Sequence, residues 1–312
     1  MRIILLPLLA FATPASAAPA PAPAPAHTLP MWMQGNHPTI AVNLDGRAEP
    51  LRFVVDSAAG ATLIDDRVAR RYNLQDSKGV VSIAQGASAR SAQLRQVRAT
   101  TWQLGSLQLQ ATAVQTDLSE LSSGDDSAID GIIGNDITRR WDTRWDFAAG
   151  TLQLWSPATL PDGAHCQANV LPTRGPAMRG FAFITVRLGR ENVEAIALVD
   201  TGAAQTVLNA AAAAALGVRT DGTDPRVKIL EKGTSGLGGQ AHPSWLHTLP
   251  AMASGNWLHA AMDVRISDLP VFKSLGLDRR PALILGADAM HDAKIDITAG
   301  AARICLQAPP AG

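Results

Sequence analysis

The chain has 312 residues, which is long enough for one large domain or for two lobes that each bury a core. Its 27 basic and 27 acidic residues give no net charge and form no long run of one sign. This composition argues against a nucleic-acid partner and against binding to an anionic membrane surface. Small molecules, peptides and proteins are the classes of substrate or partner that it leaves open.

The N-terminus has the pattern of a secretory signal peptide. Arg2 precedes a mostly apolar run at 3–12, and Pro14 is followed by the small residues A-S-A at 15–17. The apolar run is about half as long as a membrane-spanning helix requires, which disfavours a membrane anchor. We therefore interpret residues 1–17 as a signal peptide.

A segment rich in Ala and Pro comes next. Residues 18–26 alternate these two residue types, and such a composition favours extended polyproline-type backbone and cannot form a core. We predict that residues 18–36 are a spacer. No later apolar run approaches the length of a membrane span. We expect an exported mature protein, periplasmic or extracellular, without a membrane span.

An internal repeat dominates the rest of the chain. The segment FVVDSAAGATLIDDRVARRYNL at 53–74 aligns without a gap with ALVDTGAAQTVLNAAAAAALGV at 197–218. In both copies a strand-like apolar run leads into Asp, a hydroxyl residue and small residues, and then into a short helical pattern. The predicted helix caps are Asp65 and Asn209 at the start and Asn73 and Gly217 at the end. The alignment indicates a duplication.

Two further motifs repeat in the same order. IDGIIGNDI at 129–137 corresponds to PALILGADA at 281–289, and WDFAAGTLQL at 145–154 corresponds to IDITAGAARI at 295–304. The three motifs repeat after 144, 152 and 150 positions. Three motifs in one order at nearly one spacing are not expected by chance.

The duplication predicts two mostly β lobes of similar plan. We place the lobes at 37–158 and 176–308, with a Pro-rich connection at 159–175. Between the first two motifs of each lobe, residues 80–97 and 227–246 have strand-like flanks around small residues or Gly, which predicts a hairpin with a mobile tip. A phosphate-binding loop is the alternative for the second hairpin. No G-x-x-x-x-G-K-[ST] or G-x-G-x-x-G pattern occurs, and no helical pattern follows directly.

The sequence D-T-G-A at 200–203, together with L-I-L-G at 283–286, resembles the active-site signature of aspartic proteases. The Ala after D-T-G and the lobe length resemble the retropepsin branch, and two such lobes in one chain resemble exported bacterial aspartyl proteases. The resemblance implies an all-β fold of two pseudo-symmetric barrel lobes around a central cleft, with few short helices. It implies an endopeptidase that acts on peptide or protein substrates as a monomer, without a metal or another cofactor.

The resemblance also implies roles for particular residues. Asp56 and Asp200 would form the catalytic dyad, and two carboxylates about 3 Å apart share one proton because they cannot both ionise cheaply. One carboxylate would take a proton from a water molecule while the other acid donates to the scissile carbonyl. The implied active-site loop residues are Ser57, Ala58, Thr201, Gly202 and Ala203. The implied supporting strands contain Ile132, Ile133 and Gly134, and Ile284, Leu285 and Gly286. The implied flap tips are Gln85 and Gly86, and Gly236, Leu237, Gly238 and Gly239.

The first copy departs from the signature. It has Ala58 where the second has Gly202, and a Cβ there could displace a carboxylate by about 1 Å, which can cost on the order of 10²-fold in rate. A non-catalytic peptide-binding pseudoprotease that keeps the groove is therefore the alternative hypothesis. The chain's only Tyr is Tyr72, so neither flap carries a Tyr, and Trp245 is a candidate substitute.

The remaining polar residues have ordinary interpretations. Cys166 and Cys305 are the only cysteines, and a disulfide and two separate buried thiols are both compatible with them. The spacing of His242 and His247 suits neither a helix face nor a strand face, and no HExxH or C-x-x-C pattern suggests a metal site. The repeated aspartates are interpreted as turn or cap residues: Asp136, Asp146, Asp288 and Asp296.

Overall fold

The computed structural model describes residues 23–77, 83–84, 92–93, 95–121, 128–161, 166–171, 180–237 and 240–308. Its strands are β1 (His27–Gln34), β2 (His37–Leu44), β3 (Leu51–Val55), β4 (Leu63–Asp65), β5 (Gln75–Asp76), β6 (Ile83–Ala84), β7 (Ala92–Gln93), β8 (Arg95–Leu104), β9 (Leu107–Thr116), β10 (Gly131–Ile133), β11 (Asp142–Asp146), β12 (Thr151–Trp155), β13 (Cys166–Ala168), β14 (Phe183–Leu188), β15 (Val193–Val199), β16 (Val207–Leu208), β17 (Val227–Thr234), β18 (His242–Leu249), β19 (Met252–Ser254), β20 (Trp257–His259), β21 (Met262–Ile266), β22 (Ala282–Leu285), β23 (Lys294–Ile297) and β24 (Arg303–Gln307). Its α-helices are α1 (Asp66–Arg71), α2 (Asn135–Thr138), α3 (Ala210–Ala215) and α4 (Pro270–Ser274), and 3-10 turns lie at Ser119–Leu121, Ala287–Ala289 and Ala299–Ala301.

The predicted all-β class with few short helices is confirmed. In the part of the chain that the structure describes, none of the helices is long and apolar enough to cross a membrane.

The first lobe is a closed six-stranded barrel. Its strands follow the order β2-β3-β10-β4-β9-β8, and β8 pairs back onto β2, with Leu44 opposite Trp102. Phe53 and Trp102 meet edge to face inside the barrel, with their ring centroids 5.6 Å apart, and both are fully buried. The closed ring leaves no free sheet edge in this lobe's barrel.

The second lobe repeats this order, but the counterpart of one long strand is split into two shorter strands. β14, β15, β22, β16 and β21 correspond to β2, β3, β10, β4 and β9. The counterpart of the long strand β8 is split into β18 and β19 at residues 250–251, where Pro250 has no N–H to donate to a ladder. β19 pairs with β14, Leu188 opposite Met252, as β8 pairs with β2. β18 leads directly into β19, but in the described residues the strand pairings of this lobe form an open sheet, which runs from β17 to β20.

A six-stranded sheet joins the lobes. Its order is β13-β24-β23-β11-β12-β1, and β11 and β23 pair antiparallel at its centre, with Trp145 opposite Ile295. Both of these side chains are buried in the common core. β12 and β1 flank one side as β24 and β13 flank the other. A pseudo-two-fold axis therefore passes between β11 and β23, and it relates the two copies.

Two predicted non-lobe segments are strands in this sheet. β1 occupies residues 27–34 of the predicted spacer, where it pairs with β12 and buries Leu29 and Met31. β13 occupies residues 166–168 of the predicted connection and pairs with β24. Leu29 and Met31 are two positions apart, which is the spacing of residues on one face of a strand. The neighbouring prolines obscure this strand pattern in the sequence. Residues 27–34 and 166–168 therefore form part of the sheet that joins the lobes.

Two charged pairs cross the centre of the joining sheet. Arg144 donates from Nε and Nη2 to Asp296 at 2.7 and 2.8 Å, and Lys294 Nζ lies 2.9 Å from Asp146. Asp146 also accepts the Ala149 N–H at 3.0 Å, as a turn residue does. The turn interpretation of Asp296 is wrong, because this residue lies within β23 and is fully buried in a bidentate ion pair.

The cysteines are bonded to each other. Cys166 and Cys305 are direct cross-strand partners on β13 and β24, and their Cα atoms are 4.0 Å apart. Of the two alternatives, the structure therefore contains the disulfide. It attaches the first strand of the second copy to the last strand of the chain.

The two predicted hairpins differ in how much of each is described. In the first, β6 pairs with β7, and the predicted tip residues Gln85 and Gly86 lie outside the described residues. In the second hairpin, β17 pairs with β18, and the register of the pairing shifts between Leu230 and Thr234. Gly236 and Leu237 follow β17, whereas Gly238 and Gly239 also lie outside the described residues.

The two helices of the repeat have the predicted caps. The Asp65 side chain accepts the Arg67 N–H at 2.8 Å, and that of Asn209 accepts the Ala212 N–H at 2.8 Å. At the other end, Asn73 and Gly217 have φ of 49° and 65°. These left-handed residues end α1 and α3 where the sequence predicts.

Candidate active site

The two aspartates of the repeat stand at equivalent strand ends. Asp56 follows β3, and its N–H donates to the Ile133 carbonyl of β10 at 2.9 Å. Asp200 follows β15, and its N–H donates to the Leu285 carbonyl of β22 at 3.0 Å. Because β10 and β22 run parallel to β3 and β15, each supporting strand continues alongside its aspartate. These backbone hydrogen bonds hold each aspartate beside the strand that carries Ile133 or Leu285.

The glycines that end the supporting strands permit a close backbone crossing. A Cβ at Gly134 would lie 2.6 Å from the Ala61 backbone, and one at Gly286 would lie 2.5 Å from the backbone of Gln205. Real Cβ atoms do not approach this closely, so only glycine fits. Each active-site loop can therefore cross directly over the strand that supports it.

A Thr–Asp pair fastens each loop to the helical turn beneath it. Thr62 Oγ1 accepts the Gly134 N–H at 3.2 Å and donates to Asp136 Oδ1 at 2.9 Å. In the second lobe Thr206 Oγ1 donates to Asp288 Oδ1 at 2.7 Å. Asp136 and Asp288 thus lie in helical turns and act by fixing a threonine.

The two loops exchange hydrogen bonds through their hydroxyl residues. The Ser57 N–H donates to Thr201 Oγ1 at 3.0 Å, and the Thr201 N–H donates to Ser57 Oγ at 3.1 Å. Each hydroxyl then donates onward, Ser57 to the Val199 carbonyl at 2.8 Å and Thr201 to that of Val55 at 2.9 Å. Both residues are buried. Four reciprocal bonds in a buried network hold the loops in one relative position.

The two carboxyl groups meet above this network. Asp56 Oδ1 accepts the N–H groups of Ala58 at 2.7 Å and Ala59 at 2.9 Å. Asp200 Oδ1 accepts those of Gly202 and Ala203, both at 3.0 Å. The two side chains are also hydrogen-bonded to each other. The structure therefore brings the predicted pair, Asp56 and Asp200, into direct contact.

The electrostatic surroundings of the two carboxyls differ. Burial raises the pKa of both groups, and the negative charge of Asp56 raises the pKa of Asp200 further, well above its usual range. Each carboxyl is partly compensated, because it accepts two N–H groups of its own loop. Carboxylates that accept several N–H bonds favour the charged form. The charge of Asp56 therefore distinguishes the two groups, and the pKa of Asp200 is raised more.

Ala58 and Gly202 are aligned in sequence but have different surroundings. A Cβ built on Gly202 would overlap the carboxyl carbon of Asp56. The methyl group of Ala58 instead packs against apolar side chains of the second lobe. The Cβ that departs from the signature is therefore accommodated beside the pair.

Two apolar walls stand beside the loops. The first-lobe wall consists of Val54, Leu63, Val114, Leu118, Ile129 and Ile132. The second-lobe wall consists of Phe183, Leu198, Val207, Leu269, Phe272, Leu275, Leu277, Ala282 and Ile284. Ala59 packs on the first wall, and Ala58 and Ala203 pack on the second. Ile132 and Ile284 thus belong to the walls, whereas Ile133 and Leu285 face the core.

Comparison with protein families decides the classification. The family model described as aspartyl protease matches residues 40–137 and 184–289, which together are more than half of the chain. The chain belongs to the aspartyl protease family. Each matched range contains one aspartate of the pair and its supporting strand. A comparison with curated proteins finds none that matches this chain.

The second hairpin of this aspartyl protease family member reaches between the lobes. Leu237, just after β17, packs against the first-lobe wall. Trp245 is not at the tip, because it lies within β18 opposite Ile229 and Ile266 and packs against the core. The suggestion that Trp245 replaces a flap tyrosine is therefore wrong, and Leu237 is the described residue at the tip that contacts the other lobe.

His37 is a site residue that the sequence did not reveal. Its Nδ1 lies 2.9 Å from the Gly202 carbonyl oxygen, and because a carbonyl only accepts, Nδ1 carries the donated proton. Burial lowers the pKa of His37. The repeat aligns His37 with Phe181, 144 positions later. The available signal in the sequence was therefore that the first copy has a His where the second has an apolar aromatic residue. Among the described residues, no group of three or more His, Cys, Asp and Glu is placed to hold a metal ion.

Proposed function

We propose that this family member is an aspartic endopeptidase that hydrolyses peptide bonds of peptide or protein substrates. Water activated by Asp56 and Asp200 is the nucleophile. The observation that carries the proposal is the direct contact of the two carboxyls above the reciprocal bonds of Ser57 and Thr201. Membership of the aspartyl protease family supports it.

The different surroundings of the two carboxyls assign their roles. Asp200, whose pKa is raised more, starts protonated, and Asp56 starts as the carboxylate. Asp56 takes a proton from the bound water, whose oxygen attacks the scissile carbonyl carbon, while Asp200 gives its proton to the carbonyl oxygen. In the resulting diol, Asp200 takes back a hydroxyl proton as the carbonyl re-forms. Asp56 then gives its proton to the departing nitrogen as the C–N bond breaks.

The surroundings of the pair suit an extended peptide. The loops pack on apolar clusters of both lobes, and the β17–β18 hairpin contacts the first-lobe wall at Leu237. An extended substrate can pair its backbone with such a hairpin in strand fashion. We expect closure of the hairpin to exclude water from the reacting bond.

A peptide-binding pseudoprotease is the second candidate, and the observation that favours it is Ala58 at the position of a signature glycine. The packing of the Ala58 methyl group on the second-lobe wall argues against it, because that contact leaves the two carboxyls touching. An enzyme and a simple binder differ in whether cleavage depends on the carboxyl pair.

The test is digestion of a peptide library by wild type, Asp56→Asn and Asp200→Asn from about pH 3 to about pH 7. We expect both variants to lose about 10³-fold or more in kcat/KM. Asp263→Asn is the matched control, since Asp263 is an exposed residue of the second lobe. Cleavage that survives in either dyad variant would refute a shared mechanism. Binding without cleavage by wild type at every pH would favour the pseudoprotease.

We also propose export and a monomeric state. Residues 1–17 have the signal-peptide pattern, and a single chain supplies both aspartates. N-terminal sequencing of the exported protein should then begin at Ala18, and its elution volume should match one chain. A mature N-terminus that retains Arg2 would contradict the signal peptide.

A further inference from the structure

The two walls differ at one equivalent position. In the first lobe Val114 of β9 pairs with Leu63 of β4, and both residues belong to the wall. In the second lobe Arg265 of β21 pairs with Val207 of β16 in the same parallel arrangement. Paired residues of neighbouring strands share a face of the sheet. The duplication has therefore placed a guanidinium in the second lobe where the first lobe has an apolar side chain.

The alternation of β21 confirms the direction of this side chain. Val264 and Ile266 are each 1 % exposed and pack in the common core. Arg265 lies between them, so its side chain leaves the opposite face of the sheet, the face of the second-lobe wall. That wall also contacts Ala58 and Ala203 of the two active-site loops. Arg265 thus shares a surface with the immediate surroundings of the dyad.

The hydrogen bonds of Arg265 leave part of its guanidinium free. Nη1 donates to the Gly233 carbonyl and to Thr234 Oγ1, both at 3.0 Å, whereas Nε is buried and has no partner. No carboxylate among the described residues forms an ion pair with Arg265. Asp288 attracts it electrostatically, but the oxygens of Asp288 already accept from Thr206.

A partly buried cation without a counter-ion is costly. Burial lowers the pKa of Arg265, which shows that its charged form is incompletely solvated. The remaining donors of a guanidinium form a planar fork, and this fork matches a carboxylate better than any other common group. Gly233 and Thr234, which hold Nη1, end the strand that leads to Leu237 at the hairpin tip. Arg265 is therefore attached to the base of the hairpin that spans the lobes, and its buried Nε still lacks a partner.

We propose that Arg265 is a specificity-determining residue that binds the carboxylate of an acidic substrate side chain seated against the second-lobe wall. The inference rests on the proposed endopeptidase function, because it assigns one side of the same cleft. The first lobe, with Val114 at this position, accepts an apolar side chain on its side. The preferred substrate is therefore asymmetric, although the two lobes are duplicates.

The test compares matched peptides that carry Glu, Gln or Lys at each position flanking the cleaved bond in turn. Wild type should cleave the Glu peptide at one position about tenfold or more better in kcat/KM than its Gln counterpart. Arg265→Met should abolish this ratio, and Arg265→Glu should shift the preference to Lys. Arg187→Met, which removes an exposed arginine of the same lobe, should leave the ratio unchanged.

Binding of the same peptides to Asp200→Asn separates the two proposals. A Glu preference in binding that Arg265→Met removes, without cleavage by wild type, would retain this inference and reject the endopeptidase. A Glu-to-Gln ratio near one in wild type, at every position, would overturn the role of Arg265 whatever the variants do. An equal loss of kcat/KM for all peptides in both Arg265 variants would likewise overturn it. That result is expected if Arg265 only supports the hairpin.

Discussion

At the scale of single residues, the site depends on which positions lack a side chain. Gly202 faces the Asp56 carboxyl so closely that any Cβ would overlap it, whereas the Ala58 methyl group packs on the second-lobe wall. An exchange of Gly and Ala should therefore change kcat strongly at position 202 and weakly at position 58. We predict that Gly202→Ala lowers kcat by about 10²-fold or more, because it displaces a reacting carboxyl. Ala58→Gly should leave kcat within about threefold of wild type. Equal effects of the two substitutions on kcat would contradict this geometry.

His37 acts on the site through the Gly202 carbonyl, which it binds from the other lobe. His37→Phe gives the first lobe the residue type of the second and leaves that carbonyl without its donor. We predict a fall in kcat of about tenfold with little change in KM, because the Gly202–Ala203 peptide, whose N–H donates to Asp200, loses a support. His37→Asn should recover most of the rate, since its amide N–H can donate in place of Nδ1. Equal losses in the two variants would contradict a positioning role.

Asp200 also links stability to pH. Burial and the Asp56 charge raise its folded-state pKa above the ordinary value of 3.8. A raised carboxyl pKa contributes stability in acid, and that contribution is lost as the pH rises through the folded pKa. At neutral pH, therefore, Asp200→Asn should unfold less readily than wild type, by about 1 kcal/mol or more, and the difference should vanish in acid. Urea denaturation at both pH values measures this, and a variant less stable than wild type at neutral pH would contradict it.

At the scale of elements, the disulfide fixes β13 to the end of the chain. Cys166 and Cys305 are 139 residues apart, so their bond restricts a long loop in the unfolded chain. We predict that the double variant Cys166→Ser with Cys305→Ser loses about 2–5 kcal/mol of unfolding free energy. The folded variant should keep its kcat, because the disulfide lies on β13 and β24 of the joining sheet, whereas the dyad loops follow β3 and β15. An unchanged denaturation midpoint would show that the strand pairing alone suffices.

The elements differ in how far the sequence predicts them. The helices α1 and α3 were predictable because their caps are local: Asp65 and Asn209 bond to the first turn of their own helix. β1 was missed because prolines surround it and its pairing with β12 is distant in sequence. The break between β18 and β19 follows from Pro250, but its place in the sheet required the pairing with β14.

At the scale of the whole molecule, the duplication explains both the fold and the pair of aspartates. An ungapped repeat aligns Asp56 with Asp200, so the sequence suffices to predict that two equivalent loops meet across an axis. The differences between the copies are what it cannot predict. His37 and Arg265 matter because of a cross-lobe contact and a strand register, and neither leaves a local pattern.

The duplicated lobes differ both in the pKa of their aspartate and in the residues beside it. The first lobe combines the carboxyl whose pKa is raised less with an apolar wall, and the second combines the carboxyl whose pKa is raised more with an arginine beside its wall. Because both carboxyls belong to one chain, each loop is free to differ from its copy.

The most direct test of a catalytic dyad is the affinity for a peptide in which a tetrahedral hydroxyl group replaces the scissile carbonyl. Wild type should bind this mimic at least about 10²-fold more tightly than the matched amide peptide. Asp56→Asn and Asp200→Asn should each lose that difference while still binding the amide. Equal affinities of wild type for the two peptides, measured by titration calorimetry, would contradict the dyad and leave only a peptide-binding groove.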